Sequence, residues 1–164
     1  MRNPNWAAVL HISKSQLVTY LQCPRRFWFQ YVVGQPWEFM PANLVFGKAI
    51  HEAVAFFYRQ FARQQTKPDL GHVVERFRES WWQGVEAQPL RFFGGQNEQT
   101  MTTLGEQLLE VFCSEIHPRR VRAVEEPFEL ELAGDQNQSP LEVKLVGMID
   151  LVKRTTTATS SSAN

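Results

Sequence analysis

The feature that most constrains this chain is a change of period at Pro118. Before it, large apolar residues recur at three- and four-residue spacing; after it, they alternate with polar ones. The first pattern builds a helix with one buried stripe, the second a strand with one buried face. A chain that runs helices first and strands afterwards must hide both kinds of surface against each other, which points to an α+β or α/β architecture.

The helical part spans about 13–117. Ser13-Lys14-Ser15-Gln16 opens it, with Ser13 as N-cap and Gln16 at the reciprocal capping-box position. Leu17, Tyr20, Leu21, Phe27, Trp28 and Tyr31 continue as an apolar stripe, and Pro24 predicts a kink or break near Cys23 because it removes a helical donor. Glycine and prolines make 34–41 a loop. A second helix is predicted over about 44–61, burying Phe46, Ile50, Val54, Phe57 and Phe61. A third, over about 70–85, uses Val73, Val74, Phe77, Trp81 and Trp82, and residues 84–95 form a loop. A fourth, over about 102–116, stops before Pro118.

The start of a sheet follows over about 121–152. Residues 121–132 read as a strand interrupted at Pro127, Gly134-Asp135-Gln136-Asn137 as a turn, and 141–152 as a second strand. In that second strand Leu141, Val143, Leu145, Ile149 and Leu151 face one way, with Glu142, Lys144, Val146, Met148 and Asp150 on the other. Residues 153–164 form a low-complexity Thr/Ser run, expected to be a disordered tail. Two strands make a marginal sheet, so the sequence reads as cut short or frameshifted after a single hairpin, the alternative being a natural polar terminus. An unpaired sheet edge also predicts poor solubility.

Composition narrows the function classes. Hydrophobic residues make up 43%, with twelve Phe, five Trp and three Tyr concentrated before Phe93, so the first half is expected to build most of the core. Seventeen basic residues balance seventeen acidic ones, which argues against a histone-like coat but leaves room for an enzyme with a local basic patch. Two cysteines, Cys23 and Cys113, are too few for a disulfide scaffold and favour a reducing cytoplasm. No stretch approaches the roughly 18 apolar residues of a membrane span, and the N-terminus lacks a secretory apolar core. A soluble cytoplasmic protein without a membrane partner is expected.

Three segments stand out in order: Ser13-Lys14-Ser15-Gln16-Leu17 through Tyr20-Leu21-Gln22-Cys23-Pro24-Arg25-Arg26-Phe27; Phe46-Gly47-Lys48-Ala49-Ile50-His51; and Val146-Gly147-Met148-Ile149-Asp150-Leu151-Val152. The ordered trio resembles the RecB-type nucleases of the PD-(D/E)XK superfamily, which include the nuclease domains of the RecB and AddB recombination proteins and the CRISPR-associated adaptation nucleases. The resemblance covers about 12–152. It implies an α/β, restriction-endonuclease-like fold, here a helical region followed by the first strands of an incomplete mixed sheet. The implied activity is exo- or endodeoxyribonuclease hydrolysis of DNA with magnesium or manganese, in repair, recombination or defence, with a helicase subunit or domain as a candidate partner.

Carried over by position, the resemblance makes His51 and Asp150 the catalytic metal-holding pair. A cation neutralises charge on a phosphate and lowers the pKa of bound water, and magnesium takes hard oxygen ligands while keeping several waters. The competing readings are an ordinary helical histidine and a strand-end aspartate satisfied by a turn or salt bridge. The family next carries an acid-x-lysine strand, yet no Asp or Glu follows Asp150 in these 164 residues. The chain is therefore expected to be inactive or nearly so. Glu142-Val143-Lys144 has that spacing but precedes Asp150, and it reads as a solvated face; Glu125 and Glu126 read as a solvent-facing strand start, the alternative being a carboxylate near the cleft.

Cys23 matches the first ligand of the iron–sulfur cluster that some family members carry, but one thiolate cannot hold a cluster that takes four. Arg25 and Arg26 are candidates for DNA contact. They sit among aromatic residues, as do Arg59, Arg63, Arg76 and Arg78, and such groups hold phosphates and stack on bases or simply form the polar side of a helix. Arg119, Arg120 and Arg122 form the densest basic run. Two other classes stay open: a non-catalytic nucleic-acid-binding or assembly module, and an unrelated helical interaction protein.

Overall fold

The structure, a computed structural model, describes residues 10–36, 38–132 and 143–154. The chain divides into two compact units, Met1–Pro36 with Glu126–Ile149, and Trp37–Glu125 with Asp150–Asn164.

In the first unit, strand β1 (Leu10–Ser13) leads directly into helix α1 (Lys14–Gln22). The capping box forms as expected: Gln16 N–H donates to Ser13 Oγ at 3.2 Å, and Ser13 N–H donates to Gln16 Oε1 at 2.7 Å. The break also falls at Cys23, after which Pro24 occupies the first turn of α2 (Pro24–Phe27), where its missing donor costs nothing. A π-helical segment, Trp28–Val33, follows and ends on Gly34 in the left-handed conformation (φ 67°) that glycine adopts without penalty. The expected apolar stripe does not become core. Leu17, Tyr20, Leu21 and Trp28 are 44%, 51%, 72% and 55% exposed. The break at Pro24 and the wider winding of the π segment interrupt the stripe between α1 and Trp28, and α1 itself buries no residue. Phe27 instead packs against Tyr20 and Tyr31, with ring centroids 5.6 and 5.3 Å away.

The sheet has the order β1-β5-β4, where β4 is Val121–Leu132 and β5 is Val143–Lys153. Strand β1 pairs in parallel with β5, from Leu10 opposite Val143 to Ser13 opposite Val146. Lys144 reaches Glu129 at 3.2 Å, whereas Gly147 lies under the ring of Phe128. The β4 number falls as the β5 number rises, so this pair is antiparallel and the sheet is mixed. Strand β1 adds a third member to what the sequence predicts as a lone hairpin. Pro127 does not interrupt β4, because an edge strand tolerates a residue without an N–H. Gly147 has a specific reason: a Cβ there would stand 2.6 Å from the Phe128 ring.

The second unit is built on helices α3 (Ala42–Gln64), α4 (Leu70–Ala87) and α5 (Glu98–Glu115). Its largest fully buried side chains are Trp81, Phe57, Phe77, Leu109 and Val73. Helix α3 buries small residues, Ala42, Ala49 and Ala53, and holds Phe46, Ile50 and Val54 at the edge of the core, partly buried rather than enclosed as expected. Trp82 is 39% exposed, not core, because successive helical residues point roughly 100° apart and Trp81 takes the inward direction. Both expected loops contribute two residues to a short parallel ladder, β2 (Met40–Pro41) beside β3 (Leu90–Arg91). Helix α5 starts earlier than predicted, on Asn97, whose side chain caps Thr100 N–H in a second capping box. Val121 and Val124 of β4 and Leu151 of β5 pack against this helical core. Ile149, expected on the buried face, is 43% exposed.

The predicted turn at 134–137, Leu141, Glu142 and the tail from 155 onward lie outside the described residues. No described helix is long and apolar enough to cross a membrane.

Two predictions follow from this packing. A Cβ at Gly105 would overlap the buried ring of Phe77, whereas one at Gly47 meets nothing within 4 Å. Urea denaturation should therefore show Gly105→Ala destabilised by roughly 1–3 kcal/mol and Gly47→Ala stabilised by up to about 1 kcal/mol. The Cys113 thiol is pushed up by burial, with the Lys67 ammonium opposing that shift. Because the thiolate is the reactive form, exposed Cys23 should be labelled faster than Cys113 by a thiol reagent at mildly alkaline pH.

Candidate active site

The site is assembled from α3, β4 and β5. Along α3, His51, Val54, Ala55 and Tyr58 recur at the spacing of one helix face, and all four line a single hollow. Small neighbours make room for the imidazole: Ala55 is buried one turn ahead, and the space beside Gly47 is open one turn behind. Strand β5 contributes Asp150 and Leu151 to the same hollow, and β4 contributes Glu125. Leu151 packs on the helical core and so anchors the strand; Asp150 beside it stays exposed. The hollow encloses about 50 Å³, room for a cation or one to two waters, each water needing about 30 Å³.

Glu125 has an unusual backbone. Its φ is 54°, in the left-handed region, although it lies inside a strand. That conformation costs an L-residue roughly 1–2 kcal/mol. Its carboxylate is ion-paired with Arg59, which α3 presents two turns beyond His51. Tyr58 is 8% exposed, and burial raises its phenol further above the ordinary value, so the hydroxyl keeps its proton at neutral pH. Its ring packs edge-on to Phe57 and Phe112, with centroids 5.4 and 6.0 Å away.

The structure thus brings His51 and Asp150 to one hollow. Sequence reasoning leaves Tyr58 out, although its place seven residues after His51 on a helix already puts it on that face. It prefers a solvent-facing Glu125 to the alternative of a carboxylate near the cleft; nothing in the local sequence signals a left-handed residue there. As a cation site the donors are chemically suitable, with carboxylate oxygens and an imidazole nitrogen around a space of ionic size. They do not form a closed cage: among the described residues, no three His, Cys, Asp or Glu side chains converge to hold a metal. An ion that keeps several waters and uses one or two protein carboxylates fits such an open set.

The remaining candidates belong elsewhere. Cys23, Arg25 and Arg26 lie in the first unit. Cys23 is exposed and serves as the N-cap of α2, its Sγ accepting from Arg26 N–H at 3.4 Å. Arg25 places its guanidinium 5.8 Å from the centre of the Phe29 ring. In the second unit, Arg76 pairs with Glu52 at 3.5 Å and Glu79 at 3.2 Å, and Arg78 with Glu106 at 2.6 Å. With Arg59 on Glu125, these arginines engage carboxylates of the chain itself.

Comparison with known proteins gives one positive result. The model of the PD-(D/E)XK nuclease superfamily matches residues 11–160, a span that includes both His51 and Asp150. No curated protein and no solved structure gives a significant match. The family match sets aside the reading of an unrelated helical interaction protein, and the mixed sheet with its helices agrees with a restriction-endonuclease-like α/β fold. On this match across nearly all of its length, the chain belongs to the PD-(D/E)XK nuclease superfamily.

Proposed function

We propose that this chain carries the histidine and aspartate of a RecB-type, metal-dependent deoxyribonuclease site acting in DNA repair, recombination or defence. The observation that carries the reading is the hollow lined by His51 and Asp150 together, from distant parts of the sequence. An Asp150 oxygen and a His51 ring nitrogen would hold magnesium or manganese. The bound ion supplies charge neutralisation at the phosphate and a more acidic water. The chain's own residues orient and enclose: Val54, Ala55 and Leu151 wall the hollow with apolar surface, and Tyr58 offers a protonated hydroxyl beside it. Placement in the cytoplasm and service to a helicase subunit or domain belong to the same proposal.

The family's acid-x-lysine strand has no counterpart after Asp150 within these 164 residues. Taken alone, they are proposed to bind the cation and cleave DNA weakly or not at all. A second reading, nucleic-acid binding without catalysis, draws on exposed Arg25 and Arg26, with Arg25 beside the Phe29 ring.

Manganese titration calorimetry should show His51→Ala and Asp150→Ala each weakening the ion by roughly tenfold or more, about 1.4 kcal/mol, with unchanged melting. Unaltered affinity in both would remove the metal-site reading. Robust magnesium-dependent cleavage by the 164-residue chain, abolished in Asp150→Ala, would overturn the inactivity proposed for it. Salt-sensitive DNA binding that survives both substitutions would put the binding reading ahead.

A further inference from the structure

We propose that Arg91 and Phe93 form a contact for unpaired DNA, the guanidinium taking a backbone phosphate and the ring stacking on an adjoining base; the choice of DNA rests on the nuclease reading above. The guanidinium carbon of Arg91 stands over two rings, 4.7 Å from the centre of Phe39 and 5.3 Å from that of Phe93. The short β2–β3 ladder sets up this group. Side chains alternate along an extended chain, and Leu90 and Phe92 pack on the helical core, so Arg91 and Phe93 turn outward. Arg91 lies opposite Pro41, two residues after Phe39, which brings the Phe39 ring to the same side. Met40 N–H donating to Pro89 O at 2.9 Å extends the pairing.

Arg91 differs from the ion-paired arginines of its unit. Arg59, Arg76 and Arg78 are engaged by carboxylates. Among the described residues, the Arg91 side chain has neither an ion pair nor a hydrogen bond. A ring face attracts the cation but offers no lone pair, so the N–H fork has no oxygen acceptor. That fork matches a phosphate bidentately, and holding it against rings sets its direction before the ligand arrives. Phe93 is 52% exposed. Beyond it Gly94 and Gly95 take left-handed φ of 63° and 76°, and a Cβ on either would meet nothing within 4 Å. An exposed ring beside a turn without side chains leaves room for a flat base. Bases in a duplex are stacked on each other, whereas those of a single strand present their faces to aromatic side chains.

The test is fluorescence anisotropy of labelled oligothymidylate and labelled duplex with the full 164-residue chain, in EDTA so that cation binding plays no part. Thermal melting is recorded for every variant, and because both side chains are exposed, none should melt far from wild type. Arg91→Gln should weaken the single strand by roughly tenfold and lower its salt slope by about 0.7. Phe93→Leu should weaken the single strand by roughly fivefold or more and leave the duplex unchanged. Arg76→Gln, which removes the same charge from a paired arginine, should bind like wild type. A wild-type chain that binds no oligothymidylate at low salt, or an Arg91→Gln variant that binds it like Arg76→Gln, would overturn the proposal. Equal losses for both DNAs in Phe93→Leu would overturn the stacking, and tighter binding of oligouridylate by the wild type would overturn the choice of DNA. If Asp150→Ala still weakens manganese when Arg91→Gln has no effect, the contact at Arg91 fails alone and the metal-site reading stands.

Discussion

The close approach of α3 to its neighbours governs the second unit. It is made possible by absence of bulk: Ala42, Ala49 and Ala53 on α3, and Gly84 on α4 against Val45; Gly105 on α5 lets α5 approach α4 in the same way, beneath the ring of Phe77. Protein interiors are packed like organic crystals, so such contacts leave no slack for an added methyl group. With its small side turned to the other helices, α3 has its His51–Tyr58 face left to meet β4 and β5. The large rings then fill the remaining volume, with Phe46 edge-on to Phe77 and Trp81 at 5.8 and 6.0 Å.

This packing explains what could and could not be read beforehand. Local chemistry was legible: the Ser13–Gln16 capping box, the break at Pro24 and the helix stop before Pro118 depend on residues within one turn of each other. The core of α3 was read through its large apolar residues: Phe57 is fully buried as expected, while Phe46, Ile50 and Val54 lie at the edge and Ala42, Ala49 and Ala53 fill the interior. A hydrophobic pattern weights size, while close helix packing rewards smallness. Strand β1 escaped notice because four residues carry almost no pattern and its partner, β5, begins at Val143. Non-local pairing of this kind leaves no local trace.

The candidate site divides along the same line. His51 and Asp150 stood out through their sequence context and resemblance, although a lone helical histidine and a strand-end aspartate carry little weight as residue types. Tyr58 was within reach of helical arithmetic. The place of Glu125 near the cleft was only an alternative, because a left-handed glutamate in a strand reflects surroundings, here Arg59 from another element, more than its own propensity.

The neighbours Leu151 and Asp150 have a consequence for assembly. Side chains alternate along a strand, so a slip of one residue between β5 and β4 would exchange them. Leu151 would turn out to water and the Asp150 carboxylate would enter an apolar core without a partner, a costly arrangement. The register marked by Arg154 N–H donating to Arg120 O at 3.0 Å is therefore the one that satisfies both residues at once. Mispaired hairpins are penalised by the same carboxylate that the correct pairing delivers to the hollow. Strand register thus acts as a checkpoint: a chain folded out of step has neither a stable core nor the hollow beside His51.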